Sequence, residues 1–211
     1  MDTIAALCYG NELVDALRLQ IPEIVIIDNG SPTPIEGAIR LDANYYFSGG
    51  WNRAMRILRE RYNCDYVWML NSDVTGIHPA MFSSIVEKMK RCGCGVMTPA
   101  FNSPHQHMHK ISGTVRSVRW VDWACPVVAW WAWEKVGDFD ESMPGYGADL
   151  DWCRRAREMR ITMFVDESFM VNHIGGATSQ AYGLVDVIAN VEQMNRELSR
   201  KWGVKSWVEM T

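Results

Sequence analysis

The feature that most constrains this chain is the alternation, through roughly its first half, of short apolar runs with helix-period segments. Thr3–Cys8 and Glu23–Asp28 read as strands, with Glu12–Gln20 between them as a helix. Ile39–Asp42 reads as a short strand ahead of a Gly49-Gly50 turn and a helix over Trp51–Tyr62. Strand Tyr66–Leu70, helix Pro79–Arg91 and strand Gly95–Thr98 follow. Apolar runs of this kind, separated by helical crossovers, belong to a mainly parallel α/β sheet with helices on both faces. Such sheets bind ligands beyond the carboxyl ends of their strands. Asp28 and Asp73 both fall just past a strand end, on that edge.

The second half is less regular. Val118–Trp133 is apolar and β-rich, Asp149–Met159 reads as a helix, and Thr162–Val165 as a short strand. Near the end, Leu184, Val187, Ile188, Val191, Met194, Leu198 and Trp202 recur at helical spacing, a stripe expected to dock on the rest of the chain. No internal repeat, low-complexity tract or linker interrupts the sequence. With 211 residues, 48% of them hydrophobic, one domain with a substantial core is expected.

Charge and composition exclude several classes of function. A formal net charge of -4 argues against a broad phosphate-backbone surface, so nucleic acid is not an expected partner. No apolar run approaches the ~20 residues of a transmembrane segment, and the acidic start lacks the basic region of a secretion signal. Six cysteines show no metal-ligand spacing, which fits free thiols in a reducing, cytoplasmic compartment. Of the ten tryptophans, five cluster at Trp120, Trp123, Trp130, Trp131 and Trp133. Most are expected in the core, with one or two available as a stacking surface for a sugar ring.

Three segments carry side chains suited to chemistry. In YVWMLNSDV, a hydrophobic strand delivers Asn71 and Asp73, which point the same way on an extended backbone. A carboxylate and a carboxamide suit a ribose hydroxyl and a hard cation bridging two phosphates, and equally suit a turn or helix cap. In PGYGADLDWCRRAR, Asp149 and Asp151 flank a helix start and, two residues apart, point to nearly opposite sides. Only one can face a given substrate, and either can instead complement the helix dipole. In VNHIGGATS, His173 ends a strand-like run before a small-residue loop, where convergence with Asp73 would make a metal site. His105, His107 and His109 read as a loop with incidental metal affinity.

Taken together, DNGSP (28–32), NYYFSGGWNRA (44–54), LNSDV (70–74), VGDFDE (136–141), GYGADLDWCRR (145–155) and HIGGATS (173–179) resemble the family-2-type glycosyltransferases, especially their rhamnosyltransferase-like branch. The resemblance spans about residues 3–180 and implies a GT-A fold, with a Rossmann-like nucleotide-binding half over about 1–100, an acceptor half over about 101–180 and a C-terminal helix over about 182–202. It implies that Asp28 contacts the nucleotide base, helped by the backbone around Ala6–Tyr9, and that Asn44, Gly50 and Asn52 line the donor pocket. Asn71-Ser72-Asp73 stands in place of the family's DxD motif, with Asp73 as metal ligand and Asn71 where the family has its first Asp. Asp149 matches the catalytic base of the G-E-D-x-D segment, with Ala148 in place of the Glu; Arg155 matches the Arg that follows, and His173 helps to hold metal or diphosphate. The compact form is also similar to transferases of large algal viruses, which would put it in a host cytoplasm, and it is compatible with one domain of a longer multidomain protein.

The resemblance implies a hexosyl-type transfer from a UDP-, dTDP- or GDP-sugar to a glycan or glycoprotein hydroxyl, dependent on Mn²⁺ or Mg²⁺. The expected course is inverting, with Asp149 as base and Arg154 or Arg155 near the departing diphosphate. Asp151, on the other side of the helix, is expected to contribute only helix-end electrostatics of roughly 0.3–1 kcal/mol. A retaining GT-A transferase would share the nucleotide site. A phosphatase of the haloacid dehalogenase type is disfavoured because Asn71 cannot form a phosphoaspartate. The non-enzymatic alternative is a tryptophan-rich sugar-binding module.

Overall fold

The computed structural model describes residues 2–10, 12–102, 112–177, 183 and 187–211. His105, His107 and His109 lie outside the described residues, as do Leu184 of the amphipathic stripe and the end of the HIGGATS segment.

The strands and helices of the first half are β1 (Thr3–Cys8), α1 (Val14–Gln20), β2 (Val25–Asp28), β3 (Ile39–Arg40), α2 (Tyr46–Tyr62), β4 (Tyr66–Asn71), β5 (Val74–Thr75), α3 (Pro79–Cys92) and β6 (Val96–Phe101). The second half adds β7 (Val115–Val118), β8 (Val127–Ala129), α4 (Trp130–Val136), α5 (Ala148–Glu158), β9 (Met163–His173) and α6 (Val187–Trp202), then a 3-10 turn at Trp207–Met210. They build a nine-stranded sheet in the order β3-β2-β1-β4-β8-β6-β9-β5, with β7 paired to β9.

β1 pairs in parallel with both β2 and β4, and β2 with β3. This block is the Rossmann-like part, and its near-continuous apolar runs are what a strand covered on two faces requires. β8 then runs antiparallel to β4 and β6, and β6 returns to parallel pairing with β9. The second half therefore inserts reversed strands into the sheet. Val67, Trp68 and Leu70 of β4 are fully buried at its centre, with Met55 and Leu58 of α2 and Ile85 of α3 also fully buried. Each such side chain contributes about 1.5–3 kcal/mol through burial.

Helix limits follow local chemistry. Pro79 opens α3 after His78, whose ring accepts a hydrogen bond from the Ala80 N–H, and Gly93 closes it in the left-handed conformation. In α2, the Gly49-Gly50 pair sits inside the first turns and not in a preceding turn as the sequence suggests. The reason is steric. A Cβ on Gly50 would lie 2.8 Å from Leu7 and 2.9 Å from the Asn29 amide, so glycine lets the helix start close against β1 and β2. The apolar stretch expected as β through Trp133 is a strand of three residues followed by α4. β9 runs 11 residues, well past Val165, and carries His173 to its end. In the α6 stripe, Met194 and Leu198 are buried, while Ile188 is 73% exposed and falls off the docking face.

Candidate active site

Beyond the carboxyl ends of β1 and β4 lies a cavity of about 740 Å³. β1 supplies Leu7 and, just after it, Tyr9; β4 and its turn supply Asn71, Ser72 and Asp73. The start of α5 supplies Gly147 and Asp149, the end of β9 supplies His173, and α6 closes the wall with Val191 and Met194. The docking stripe of α6 is thus also a cavity wall.

Asp73 and His173 converge at the cavity wall. The pairing of β5 with β9 sets Val74 opposite His173, and the His173 Nε2 lies 3.1 Å from an Asp73 carboxylate oxygen. The second Asp73 oxygen accepts from the Ala177 N–H at 3.3 Å. Burial alone would raise the Asp73 carboxyl, but the His173 hydrogen bond and charge outweigh it and hold the group below its ordinary value. For His173, burial disfavours the cation, yet the Asp73 bond and charge, with a further contribution from Asp122, raise its pKa.

A residue that sequence reasoning missed holds His173 in place. Asn102, one residue past β6, accepts from the His173 N–H at 2.5 Å and donates to the His173 carbonyl at 3.0 Å. This amide clamps both backbone groups of one residue, and it also lines the cavity. Nothing in its local sequence marks it, because the partner lies 71 positions away.

Asp149 faces the same cavity from the first turn of α5, while Asp151 does not. Gly147 makes this possible. Its φ of +88° turns the chain sharply into the helix, and a Cβ there would lie 2.4 Å from Met194. Desolvation, reinforced by the negative charge of Asp122, pushes the Asp149 pKa up to about 7. Asp122 is the second residue missed from sequence. It lines the same cavity, in the segment between β7 and β8, with Trp120 and Trp123 on either side. Trp123 is fixed edge-on against Trp152 and Phe139, at centroid distances of 5.0 and 4.8 Å. Trp123 is thus buried in the aromatic core and also lines the cavity, as Trp120 and Trp207 do.

Asp151 occupies opposite surroundings. It is 0% exposed and binds Arg155 at 2.9 Å, Lys201 at 2.8 Å and the Trp202 indole N–H at 2.9 Å. This overturns the expectation of a helix-end charge worth roughly 0.3–1 kcal/mol: Asp151 is the buried tie between α5 and α6.

The remaining expected site residues divide into two sets. Asn44 and Asn71 line the cavity. Asn44 is held by Asn29, whose amide donates to the Asn44 side-chain oxygen at 3.1 Å and to the Tyr46 carbonyl at 2.9 Å. Tyr46 itself has a left-handed φ of +54°, a strained conformation for a bulky residue, and its ring lines the cavity. Asp28, Gly50, Asn52 and Arg155 are not brought to the cavity wall. Asp28 is fully buried, and its carboxylate accepts from the Ser31 and Ile35 N–H groups and from Arg40. Burial opposes its ionisation, but these hydrogen bonds hold it below its ordinary value. Asn52 bonds both backbone groups of Phe139, and Gly50 packs on Leu7 and Asn29. The Arg155 guanidinium is turned to Asp151 and to the Val136 and Asp138 carbonyls. All four act behind the wall.

Among the described residues, no group of three or more histidine, cysteine or acidic side chains gathers to hold a metal. Asp73 and His173 are two paired side chains on the cavity wall that could ligate a metal. That suits a cation such as Mn²⁺ or Mg²⁺ whose other positions are filled by phosphate oxygens and water.

No family model matches the chain. Uncharacterized proteins of Mycobacterium tuberculosis and Mycobacterium bovis are 24% identical over 191 residues, covering 82% of this chain and 72% of theirs. Among solved structures, GalNAc-T7 with UDP, GalNAc and Mn²⁺ superposes with a TM-score of 0.63 at 9% identity, over 82% of this chain. This chain spans less than half of that protein, 43% of its length. S. aureus TarS superposes with a TM-score of 0.60 at 12% identity, over 96% of this chain and 72% of TarS. A197 from STIV gives 0.59 at 14% identity, over 82% of this chain and 85% of A197. At such identities the shared property is the fold alone, an α/β architecture of the GT-A type.

Proposed function

We propose that the protein is a glycosyltransferase that moves a hexosyl group from a nucleotide-sugar donor to a hydroxyl of a glycan or glycoprotein, with inversion. The observation that carries this reading is Asp149: a carboxylate on the cavity wall, lifted to about 7 by desolvation and by Asp122. A base poised near neutral pH balances basicity against availability. The same cavity is lined by Asn71, Asp73 and His173, a set suited to a cation and the diphosphate it neutralises.

In this mechanism Asn44 and Asn71, with Tyr9 and Tyr46, line the donor space. Asp28, Gly50 and Asn52 fix the loop and helix behind it. Asp73 and His173 would hold Mn²⁺ or Mg²⁺, which would supply positive charge to a diphosphate leaving group. Asp149 takes the proton of the acceptor hydroxyl as that oxygen bonds to the anomeric carbon and the bond to the diphosphate oxygen breaks. Arg155 acts indirectly, by tying α5 to the carbonyls after α4. The six cysteines are unpaired, and burial pushes the Cys8, Cys125 and Cys153 thiols up to about 12, which suits inert packing in a reducing cytoplasm. Among the described residues, no helix is long and apolar enough to cross a membrane.

The test is calorimetric titration with UDP, GDP and dTDP, each with and without Mn²⁺, followed by NMR of fresh product. One nucleoside diphosphate should bind in a metal-dependent way, and the product should have the anomeric configuration opposite to the donor. Sugar binding without any nucleotide binding would make the protein a sugar-binding module instead. Retained configuration would remove Asp149 from its role as base while leaving the transferase assignment standing.

A further inference from the structure

Two side-chain amides, Asn29 directly after β2 and Asn44 past β3, hold each other in one orientation, and both line the cavity. The Asn29 oxygen accepts from the Tyr45 N–H at 3.0 Å. Its Nδ2 donates to the Tyr46 carbonyl at 2.9 Å and to the Asn44 oxygen at 3.1 Å. The Asn44 oxygen also accepts from the Tyr46 N–H at 2.8 Å, so the Tyr46 backbone, at φ +54°, serves both amides. A backbone N–H only donates and a backbone carbonyl only accepts, which fixes the oxygen and nitrogen ends of each amide. Both acceptor positions of the Asn44 oxygen are taken, and Asn44 makes no other hydrogen bond among the described residues. What it offers a ligand is Nδ2, a donor without acceptor capacity.

Strand register places this donor relative to Asp73. Cys8 of β1 pairs with Asp28 of β2, and Leu7 of β1 with Asn71 of β4. The ends of β2 and β4 are thus two strand spacings apart, about 10 Å, with β1, the source of Leu7 and Tyr9, between them. A nucleoside diphosphate whose phosphates lie at Asp73 and His173 can reach across β1 and bring the base edge farthest from its ribose to Asn44.

We propose that Asn44 reads the donor's base, and selects one with an oxo group on that edge (uracil, thymine or guanine) over one with an amino group (cytosine or adenine). This deepens the proposed function and rests on it, because it takes Asp73 and His173 as the place of the diphosphate. The Asn44 N–H meets an oxo oxygen in a hydrogen bond. Against an amino group two donors face each other, and both lose water without gaining a partner. Asn29 is a positioning residue, acting through the polarity it imposes on Asn44. The carboxylate of Asp28 is already committed to Ser31, Ile35 and Arg40, so the base contact expected of it passes to Asn44.

The experiment is calorimetric titration in Mn²⁺ with matched pairs of nucleoside diphosphates: UDP against CDP, dTDP against its 4-amino analogue, and IDP against ADP. In the pair whose ring fits, the oxo member should bind about tenfold or more tightly than the amino member. Asn44→Asp keeps the oxygen that Asn29 and Tyr46 hold and puts an acceptor where the donor was, so that ratio should fall to about one or invert. Asn29→Ala should also lower the ratio, because Asn44 can then present either end of its amide; a loss of affinity shared equally by both members would be structural only. An amino member that binds as tightly in the wild type, a ratio that survives Asn44→Asp, or an equal loss in Asn29→Ala overturns the proposal and leaves the transferase reading standing. The wild-type pairs decide the first point even if a variant fails to fold. Binding by no member of any pair overturns the proposed function as well.

Discussion

Helix α5 opens with two aspartates whose surroundings differ in nearly every respect. Asp151, on the inner face, has Arg155, Lys201 and the Trp202 indole as partners. Asp149, on the outer face, looks into a cavity that Asp122 also lines, and the Asp122 charge adds to burial in raising it. The first arrangement stabilises an ion by pairing; the second makes an ion costly and therefore basic. A paired carboxylate and one whose ionisation is disfavoured thus sit two residues apart. What separates them is the set of partners each helix face meets, not residue type or local sequence.

The largest expected consequence is functional. Asp149→Asn should lower transfer by ~10²–10⁴ while leaving metal-dependent donor binding intact, since the amide keeps shape but not basicity. The same variant should change stability with a definite sign. A carboxyl raised from 3.8 to about 7 in the folded state favours folding fully only below 3.8, and that contribution is lost as pH rises through 7. Asp149→Asn should therefore melt higher than the wild type at pH 8 and show no such gain near pH 4. A variant that turns over normally, or melts lower at pH 8, would place the base elsewhere.

Asp151→Asn should do the opposite. Removing one charge of a buried pair strands the others, at a cost of about 3–5 kcal/mol. Denaturation should show that loss, while transfer per folded molecule stays within a few-fold of the wild type. If stability is unchanged and turnover collapses, the two faces have been assigned the wrong way round.

How much of this was legible beforehand varies along the chain. The β1–β4 block is periodic, and its strands and helices are readable from apolar runs alone. Beyond Phe101 the sheet alternates direction through β8, and a tryptophan-rich stretch serves as strand, helix and core in turn. Apolar content cannot distinguish those uses. For the site, the divergence of Asp149 and Asp151 follows from helical geometry, and the convergence of Asp73 with His173 was expected as a condition. The structural weight of Asp151 was not legible, because Lys201 and Trp202 come from α6. Asn102 and Asp122 were missed for the same reason: their partners are distant in sequence, and neither sits in a patterned motif.

A smaller effect is expected at Asn102. Losing the clamp on His173 should weaken Mn²⁺-dependent nucleotide binding by about 10–100-fold, as is typical for groups that orient a metal ligand. Asn102→Ala should leave metal-independent nucleotide binding unchanged, and titration in both conditions separates the two. Loss in both would mean a general distortion of the β6 and β9 ends. Smaller still is Asp28→Asn, which keeps one acceptor and loses charge in the Ser31–Arg40 loop. It should cost about 1–2 kcal/mol of stability and reduce nucleotide affinity only modestly. A large, selective loss of affinity for the base would instead make Asp28 a direct contact.

The most direct measurement is the pH dependence of transfer at saturating donor and metal, for the wild type and Asp149→Asn side by side. The wild-type rate should climb about tenfold per pH unit below neutrality and level off with a midpoint close to 7, following ionisation of Asp149. The residual activity of the variant should lack that rise. A wild-type profile flat from pH 5 to 8, or the same rise retained in Asp149→Asn, would show that another group removes the proton.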